Sequence, residues 1–188
     1  MENADFADRV ALVTGAWRGL GRAAAARLHE RGAAVAVNVR DRERAEALAK
    51  EIGERAFAVP GDVAAEGVPD EIARLTLERF GRIDILVNNA ALPLSTRFPD
   101  LTAEERRRAI EVNLTAPFLM TKAVLPAMRA QHYGRIIKYV VLGRTDGKHA
   151  RRCALHGIEG RAPRTDARGR KGTGQVRHYR ERRLPRHD

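Results

Sequence analysis

Short apolar runs alternate with helical segments through the first 137 residues of this chain. The apolar runs cover residues 10–14, 34–39, 56–59 and 83–87, and a further run begins at Arg135. Helical patterns lie between them at 20–31, 42–52 and 69–80, and after Thr102 toward residue 129. Strands that alternate with helices form right-handed βαβ units. The pattern therefore predicts an α/β fold with a doubly wound parallel sheet, covered by helices on both faces.

The last predicted helix carries a start signal and two interruptions. Thr102 and Glu105 have the spacing of a capping box, in which each side chain bonds the other residue's backbone N–H. Pro117 and Pro126 lie inside the helical pattern, and a proline removes a backbone donor. We therefore expect a helix that starts after Thr102 and kinks or breaks near the prolines.

The composition changes abruptly at Lys138. Residues 138–188 hold 15 of the 35 Lys and Arg residues but only 5 of the 24 Asp and Glu residues. Large apolar side chains are sparse there, and a highly charged segment that buries little apolar surface stays disordered. We therefore predict an incomplete domain at 1–137, truncated after the fifth strand, followed by a basic and largely disordered segment at 138–188.

Charge and cysteine content exclude several function classes. A net charge of +11 would ordinarily suggest nucleic acid as a partner, but the excess lies in 138–188. Beyond Tyr139 the only aromatic residue is Tyr179, so stacking with bases would be poor and nucleic-acid binding is the weaker alternative. The single Cys153 allows no internal disulfide, and no run approaches the ~20 apolar residues of a membrane span. We expect a cytoplasmic protein without a membrane partner or a metal site.

A glycine-rich turn joins the first strand to the first helix. It reads Thr-Gly-Ala-Trp-Arg-Gly-Leu-Gly over residues 14–21. Gly15 permits the tight turn, Gly19 lets the backbone approach a pyrophosphate, and Gly21 allows close helix–strand packing. The following helix offers free N–H groups and a positive dipole end to an anion. The turn is therefore predicted to bind a dinucleotide, although a tight turn without a ligand would need similar glycines.

The end of the second strand bears on the choice of cofactor. An acidic residue there would bind the ribose 2′-hydroxyl of NAD, whereas an arginine accommodates the 2′-phosphate of NADP. Arg40 and Asp41 follow this strand, and Arg18 adds a second cation from the glycine-rich turn. Two arginines favour NADP. NAD remains the alternative, in which Arg40 is solvated and Asp41 takes the hydroxyl.

The Gly-x-x-x-Gly-x-Gly spacing resembles the short-chain dehydrogenase/reductase family, whose motif is Thr-Gly-x-x-x-Gly-x-Gly. Further matches follow in order at Asp62-Val63, at Asn88-Asn89-Ala90-Ala91 and at Glu111-Val112-Asn113. Ala91 departs from the family's glycine, which predicts mild crowding. The resemblance covers about residues 8–137. It implies a Rossmann-like fold, a nicotinamide dinucleotide, a small carbonyl or alcohol substrate, and a homo-oligomeric parent enzyme.

The resemblance also implies site residues. Those expected to contact the cofactor are Thr14, Gly15, Trp17, Arg18, Gly19, Leu20, Gly21, Arg40, Asp62, Val63, Asn89, Ala90 and Ala91. Asn113 matches the asparagine of the family's catalytic tetrad. Simpler interpretations remain open: Asp62 as a turn residue, Asn88 and Asn89 as strand-end polar groups, and Asn113 on a solvated face.

The other tetrad members have no counterpart in this sequence. The family uses a tyrosine that exchanges a proton with the substrate oxygen, a lysine four residues later, and a serine about thirteen residues upstream. The three tyrosines here are followed, four residues on, by Ile137, Gly143 and Arg183, and the only serine is Ser95. The chain as written is therefore predicted to be inactive. The alternative function is that of a non-catalytic dinucleotide-binding remnant.

A change of reading frame would explain the segment after residue 137. Back-translation of 138–141, read from the second base of each codon, permits the family's Asn-x-Ser-Ser. The same shift at 155–159 permits Tyr-x-x-x-Lys, and at 178–187 it permits the sixth strand with its Pro-Gly turn. The matches occur in one frame and in family order. Our hypothesis is an insertion or deletion near codon 138.

Overall fold

The computed structural model describes residues 5–139, which form a five-stranded parallel sheet between two layers of helices. The strands are β1 Val10–Val13, β2 Ala34–Val37, β3 Ala56–Ala58, β4 Ile85–Asn88 and β5 Arg135–Lys138. The helices are α1 Gly19–Glu30, α2 Arg42–Ile52, α3 Val68–Phe80, α4 Ala103–Ile110 and α5 Ala116–Ala130. A short 3₁₀ turn, Phe98–Asp100, precedes α4. The predicted doubly wound α/β architecture is confirmed.

The strand order places a crevice at the centre of the sheet. The order is β3-β2-β1-β4-β5, and every neighbouring pair is parallel. Val13, the last residue of β1, pairs with Val37 on one side and Val87 on the other. The connections leave β1 and β4 in opposite directions, so their carboxyl ends border the switch point where α/β proteins bind ligands.

Two apolar clusters sandwich the sheet, and alternate residues of one strand enter opposite clusters. Ala11 and Val13 of β1 face a cluster that includes Ala25 of α1 and Leu48 of α2. Leu12 faces the other cluster, whose members include Ile72 of α3 and Met120 and Val124 of α5. A strand covered on both faces has no polar side, which explains the uninterrupted apolar runs.

The observed boundaries differ slightly from the expected ones. β2 ends at Val37, two residues early, although Asn38 and Val39 remain buried. β5 extends to Lys138, one residue beyond the predicted domain limit, and the N–H of Tyr139 still bonds the Asn88 carbonyl at 3.0 Å. Disorder was predicted for the basic segment, residues 138–188. From residue 140 onward, this segment lies outside the part of the chain that the structure describes.

The last helical region is divided where the sequence indicated an interruption. The capping box of Thr102 and Glu105 is present at the start of α4. A π-helical segment, Glu111–Thr115, follows, and α5 begins directly after it with Pro117 in its first turn. Because proline suits a first turn, the break precedes Pro117. Helix α5 continues through Pro126 without a break.

A buried carboxylate ties β1 to β4 at the opposite, amino-terminal end of the sheet. Asp84 accepts hydrogen bonds from Arg9 at 2.9 Å, from the Val10 N–H at 2.9 Å and from two guanidinium nitrogens of Arg82 at 2.7 Å each. Burial would raise the pKa of Asp84, but the bonds from Arg82, Val10 and Arg9 together hold that pKa below its ordinary value. The charged carboxylate is therefore the stable form.

Candidate dinucleotide-binding site

The glycine-rich turn lies at the carboxyl end of β1, beside the segment that leaves β4. Thr14 joins these two segments. Its Oγ1 accepts the N–H of Asn89 at 3.0 Å and the N–H of Ala90 at 3.1 Å, and it donates to the Val87 carbonyl at 3.3 Å. The Asn89 Nδ2 donates in return to the carbonyls of Thr14 at 3.1 Å and Gly15 at 2.9 Å. Five hydrogen bonds thus hold the two sides of the crevice in one arrangement.

The three glycines of the turn meet different surroundings. A Cβ on Gly15 would lie 2.7 Å from the Ala90 Cα, and the φ of +61° is unfavourable for other residues. A Cβ on Gly21 would lie 2.3 Å from the Asn89 Nδ2 and 2.7 Å from the Gly15 carbonyl oxygen. Gly19 has a φ of +60° but no atom within 4 Å of such a Cβ. Gly15 and Gly21 therefore serve close packing, whereas Gly19 borders open space.

The start of α1 is suited to an anion. Arg18 occupies the N-cap position, and no side chain there accepts a hydrogen bond from the first turn. The first turn of α1 also contains no acidic residue. Its backbone N–H groups and the positive dipole end consequently face outward beside Gly19. Leu20 in this turn is 46% exposed. The site fits a pyrophosphate, which needs backbone donors and close approach of the chain.

Asn38, a residue to which the sequence analysis gave no role, connects the glycine-rich turn to the ends of β2 and β3. It is buried, and its Nδ2 donates to the carbonyls of Val59 at 2.9 Å and Gly61 at 3.0 Å. Its own carbonyl accepts the N–H of Ala16 at 2.9 Å. The sequence signal that could have indicated this role is the position of Asn38, an amide residue inside an otherwise apolar run.

The cations expected beside the ribose are exposed. Arg18 and Arg40 are both exposed, and neither has an ion pair within residues 5–139. Asp41 instead caps α2, where its Oδ1 accepts the N–H of Arg44 at 2.9 Å. One oxygen of the acidic group that could bind a ribose hydroxyl is thus engaged at the start of a helix.

Asp62 and Val63 lie in the turn that follows β3. The Asp62 Oδ1 accepts the N–H of Ala64 at 3.0 Å, and its Oδ2 pairs with Arg108 of α4. The hydrogen bond to Asp62 raises the pKa of the Arg108 guanidinium. Val63 is buried in the cluster beneath α3 and α5. Asp62 is therefore held at the crevice edge by a partner 46 residues away, which sequence spacing did not indicate.

Asn113 lies in the π-helical segment and holds the loop after β4. Its Oδ1 accepts the Leu92 N–H at 2.8 Å, and its Nδ2 donates to the Leu92 carbonyl at 2.9 Å. π-Helical turns recur at functional sites because they shift backbone groups out of the regular pattern. Both amide ends of the Asn113 side chain thus hold the loop, and its part in catalysis stays a prediction.

Ala90 and Ala91 line the crevice after β4. Ala90 packs against Gly15, as the distance from a Gly15 Cβ shows, and Ala91 is exposed. Among residues 5–139, positive φ angles at non-glycine positions occur only at Asp8 and His132. Ala91 therefore carries no left-handed backbone strain, although the family has glycine there.

Comparison with known proteins identifies the family. The sequence model of short-chain dehydrogenases matches residues 9–146. The chain belongs to the short-chain dehydrogenase/reductase family. The match extends past Lys138, and so past the limit of 137 that the change in composition indicated.

The curated relatives are longer proteins. A 3-oxoacyl-(acyl-carrier-protein) reductase of Synechocystis sp. is 43% identical over 133 residues, which cover 69% of this chain and 54% of that protein. An oxidoreductase of Thermotoga maritima is 37% identical over 136 residues, covering 71% of this chain and 53% of that protein. The chain therefore spans about half the length of the curated relatives that it matches.

Solved structures show the same fold. A short-chain dehydrogenase from Streptomyces avermitilis aligns with a TM-score of 0.65 and 35% identity, over 69% of this chain and 48% of its own. A metagenomic short-chain oxidoreductase in complex with NADP aligns with a TM-score of 0.66 and 36% identity, over 71% and 62%.

The described residues hold neither a metal-binding group nor a membrane-crossing helix. No group of three or more His, Cys, Asp or Glu residues within 5–139 is arranged to hold a metal ion. Over the same residues, no helix combines the length and the apolarity that a membrane crossing requires.

Proposed function

We propose that this chain is the dinucleotide-binding half of a short-chain oxidoreductase and that it binds NADP(H). The observation that carries the proposal is the open, left-handed Gly19 at the uncapped start of α1. Thr14 and Asn89 hold this start against the end of β4. A pyrophosphate at this point would accept hydrogen bonds from the first turn of α1.

The preference for NADP(H) over NAD(H) rests on charge. The 2′-phosphate that distinguishes NADP carries negative charge, and Arg18 and Arg40 flank the crevice without ion pairs among the described residues. Asp41, the group that would favour the NAD ribose, commits one of its two carboxylate oxygens to the cap of α2. The solved relative in complex with NADP is consistent with this choice.

We further propose that the 188-residue chain does not catalyse hydride transfer. NADPH, when bound, would supply a hydride to a carbonyl carbon, and the carbonyl oxygen would need a proton from an acidic side chain. The sequence has no Tyr-x-x-x-Lys, and Ser95 lies upstream of the family's serine position. Asn113 alone represents the tetrad, and its side chain is bonded to Leu92.

The parent enzyme would have an intact reading frame beyond codon 138. With that frame restored, the chain would regain the serine, tyrosine and lysine and reduce small carbonyl compounds, as a homo-oligomer. The apolar side chains of Leu114 and Phe118 are 61% and 65% exposed. Exposed apolar side chains often mark a contact surface, which supports either a missing part of the chain or a second subunit packed over these two residues.

Two experiments test these statements separately. Calorimetric titration of the 188-residue chain with NADPH tests binding, and consumption of NADPH with a panel of aldehydes and ketones tests catalysis. We expect binding without consumption. Turnover by the unaltered chain would overturn the claim of inactivity and leave the binding claim intact. Sequencing the coding DNA over codons 130–145 tests the frame hypothesis, which an uninterrupted frame in the verified gene would exclude.

A further inference from the structure

Arg44, in the first turn of α2, holds its side chain toward the glycine-rich turn. Its guanidinium lies over the indole of Trp17, 5.4 Å from the ring centroid. Trp17 is partly buried and packs against the apolar cluster beneath α1 and α2, so the ring is a fixed platform. An arginine stacked on an aromatic ring keeps its N–H groups at the rim of the ring, free to bond an anion.

The two segments that Arg44 bridges border the same part of the crevice. The N–H of Ala16 bonds the carbonyl of Asn38, so Trp17 and the turn after β2 are neighbours. Asp41 caps α2 through the backbone N–H of Arg44, which fixes where the Arg44 side chain starts. The adenosine ribose of a dinucleotide lies between these two segments in a doubly wound fold.

Like Arg18 and Arg40, Arg44 has no carboxylate partner among residues 5–139, whereas two other arginines nearby do. Arg22 of α1 pairs with Glu51, and Arg42 pairs with Glu46 at 3.6 Å. Within residues 5–139, no ion pair involves Arg44, and its helical neighbours at three and four residues further on are Ala47 and Leu48. A guanidinium that is held over an aromatic ring and is not paired with a carboxylate can bind an anionic ligand without first breaking an ion pair.

We propose that Arg44, held by Trp17, is a specificity-determining residue for the 2′-phosphate of NADP(H). It adds a third cation to Arg18 and Arg40, and it differs from them in being oriented before the ligand arrives. Orientation in advance lowers the entropy lost on binding. This inference rests on the proposed binding of NADP(H) and deepens it.

The test compares two small ligands that differ only in the 2′-phosphate. The 188-residue chain and its variants are titrated by calorimetry with adenosine 2′,5′-bisphosphate (2′,5′-ADP) and with 5′-AMP. For Arg44→Ala we expect the Kd of 2′,5′-ADP to rise about tenfold, the usual scale of one charge-assisted contact, with the Kd of 5′-AMP changed less than about twofold. Arg42→Ala is the matched control, since it removes the same charge from the same helix and should leave both values within about twofold.

Trp17 supplies a second readout because it is the only tryptophan in the chain. Its fluorescence should respond to 2′,5′-ADP more strongly than to 5′-AMP, and Trp17→Leu should weaken 2′,5′-ADP binding while Trp17→Phe preserves it. Equal losses for both ligands in Arg44→Ala, no loss at all, or an equal effect of Arg42→Ala would overturn the role of Arg44. If the unaltered chain binds both ligands equally or neither, the NADP(H) preference itself fails.

Discussion

Thr14 and Asn89 exchange hydrogen bonds across the switch point of the sheet. The Thr14 hydroxyl accepts the Asn89 N–H at 3.0 Å, and the Asn89 side-chain amide donates to the Thr14 carbonyl at 3.1 Å. The two residues are 75 positions apart in sequence. Their pairing joins the ends of β1 and β4, and it sets the width of the crevice into which the cofactor would fit.

Replacing Thr14 with valine should destabilise the protein while keeping its shape. The N–H groups of Asn89 and Ala90 would lose their acceptor in a partly buried site. An unsatisfied group of this kind costs about 1–3 kcal/mol, and we expect a total loss of about 2–3 kcal/mol. Urea unfolding followed by circular dichroism gives the value. Thr14→Ser retains the hydroxyl and should lose less than about 1 kcal/mol; equal losses in the two variants would contradict the assignment.

The substitution Gly21→Ala should raise the helix propensity of α1 but introduce a steric clash. Alanine in a helix interior is favoured over glycine by about 1 kcal/mol. The new Cβ would lie 2.3 Å from the Asn89 Nδ2 and 2.7 Å from the Gly15 carbonyl oxygen, and overpacking costs about 1–3 kcal/mol. Because a backbone atom cannot easily move aside, we expect net destabilisation of about 2 kcal/mol in urea unfolding. A gain of about 1 kcal/mol would mean that propensity decides and that the close approach is not rigid.

The ionisation of Asp84 should make the free energy of unfolding depend on pH on the acidic side. Its pKa is lowered in the folded state, because the bonds from Arg82, Val10 and Arg9 outweigh the effect of burial. The stabilisation is therefore complete above the carboxyl's unfolded pKa and is lost as the pH falls through the lowered folded value. Asp84→Asn should cost about 3 kcal/mol at neutral pH and flatten the acid side of the stability curve.

Thermal unfolding over a pH series measures the contribution of Asp84. Glu46→Gln removes an exposed carboxylate that also pairs with an arginine, Arg42, and should leave the acid slope unchanged. An unchanged slope in Asp84→Asn would show that Asp84 does not carry the acid dependence.

Asn113→Ala should loosen the loop after β4. The variant removes both bonds to the Leu92 backbone, so the Leu92 N–H loses its acceptor. We expect faster hydrogen exchange at residues 91–95, with little change in α1. Thr96→Val is the control, since it removes a bond from the same loop to Glu105 at 2.9 Å and leaves Leu92 bonded. Unchanged exchange at Leu92 would show that Asn113 does not position the loop.

The sequence predicted the architecture well because that information is local. Neighbouring residues in the sequence define the hydrophobic periodicity, the glycines that end helices, and the capping box of Thr102 and Glu105. The observed strands and helices follow these signals closely. Gly15 and Gly21 were assigned to a tight turn and to close packing, and both lie where a Cβ would clash. Their contact with a cofactor remains a prediction.

The parts that were not predicted depend on tertiary contacts. Asp62 pairs with Arg108, and Trp17 stacks with Arg44; each pair joins different elements. The buried amide of Asn38 gains its partners only when β2 and β3 align. Sequence spacing does not report which side chains of separate elements meet, because that depends on how the helices pack on the sheet.

The central claim is that a dinucleotide binds at the open start of α1. Calorimetric titration with NADPH of the 188-residue chain, of Gly19→Val and of Gly81→Val tests it most directly. Gly19 and Gly81 both have a positive φ, +60° and +74°, and open space around a Cβ, but Gly81 lies at the end of α3. The account predicts one saturable site per chain that Gly81→Val retains and Gly19→Val loses. Absence of binding by the unaltered chain, or equal binding by both variants, would contradict it.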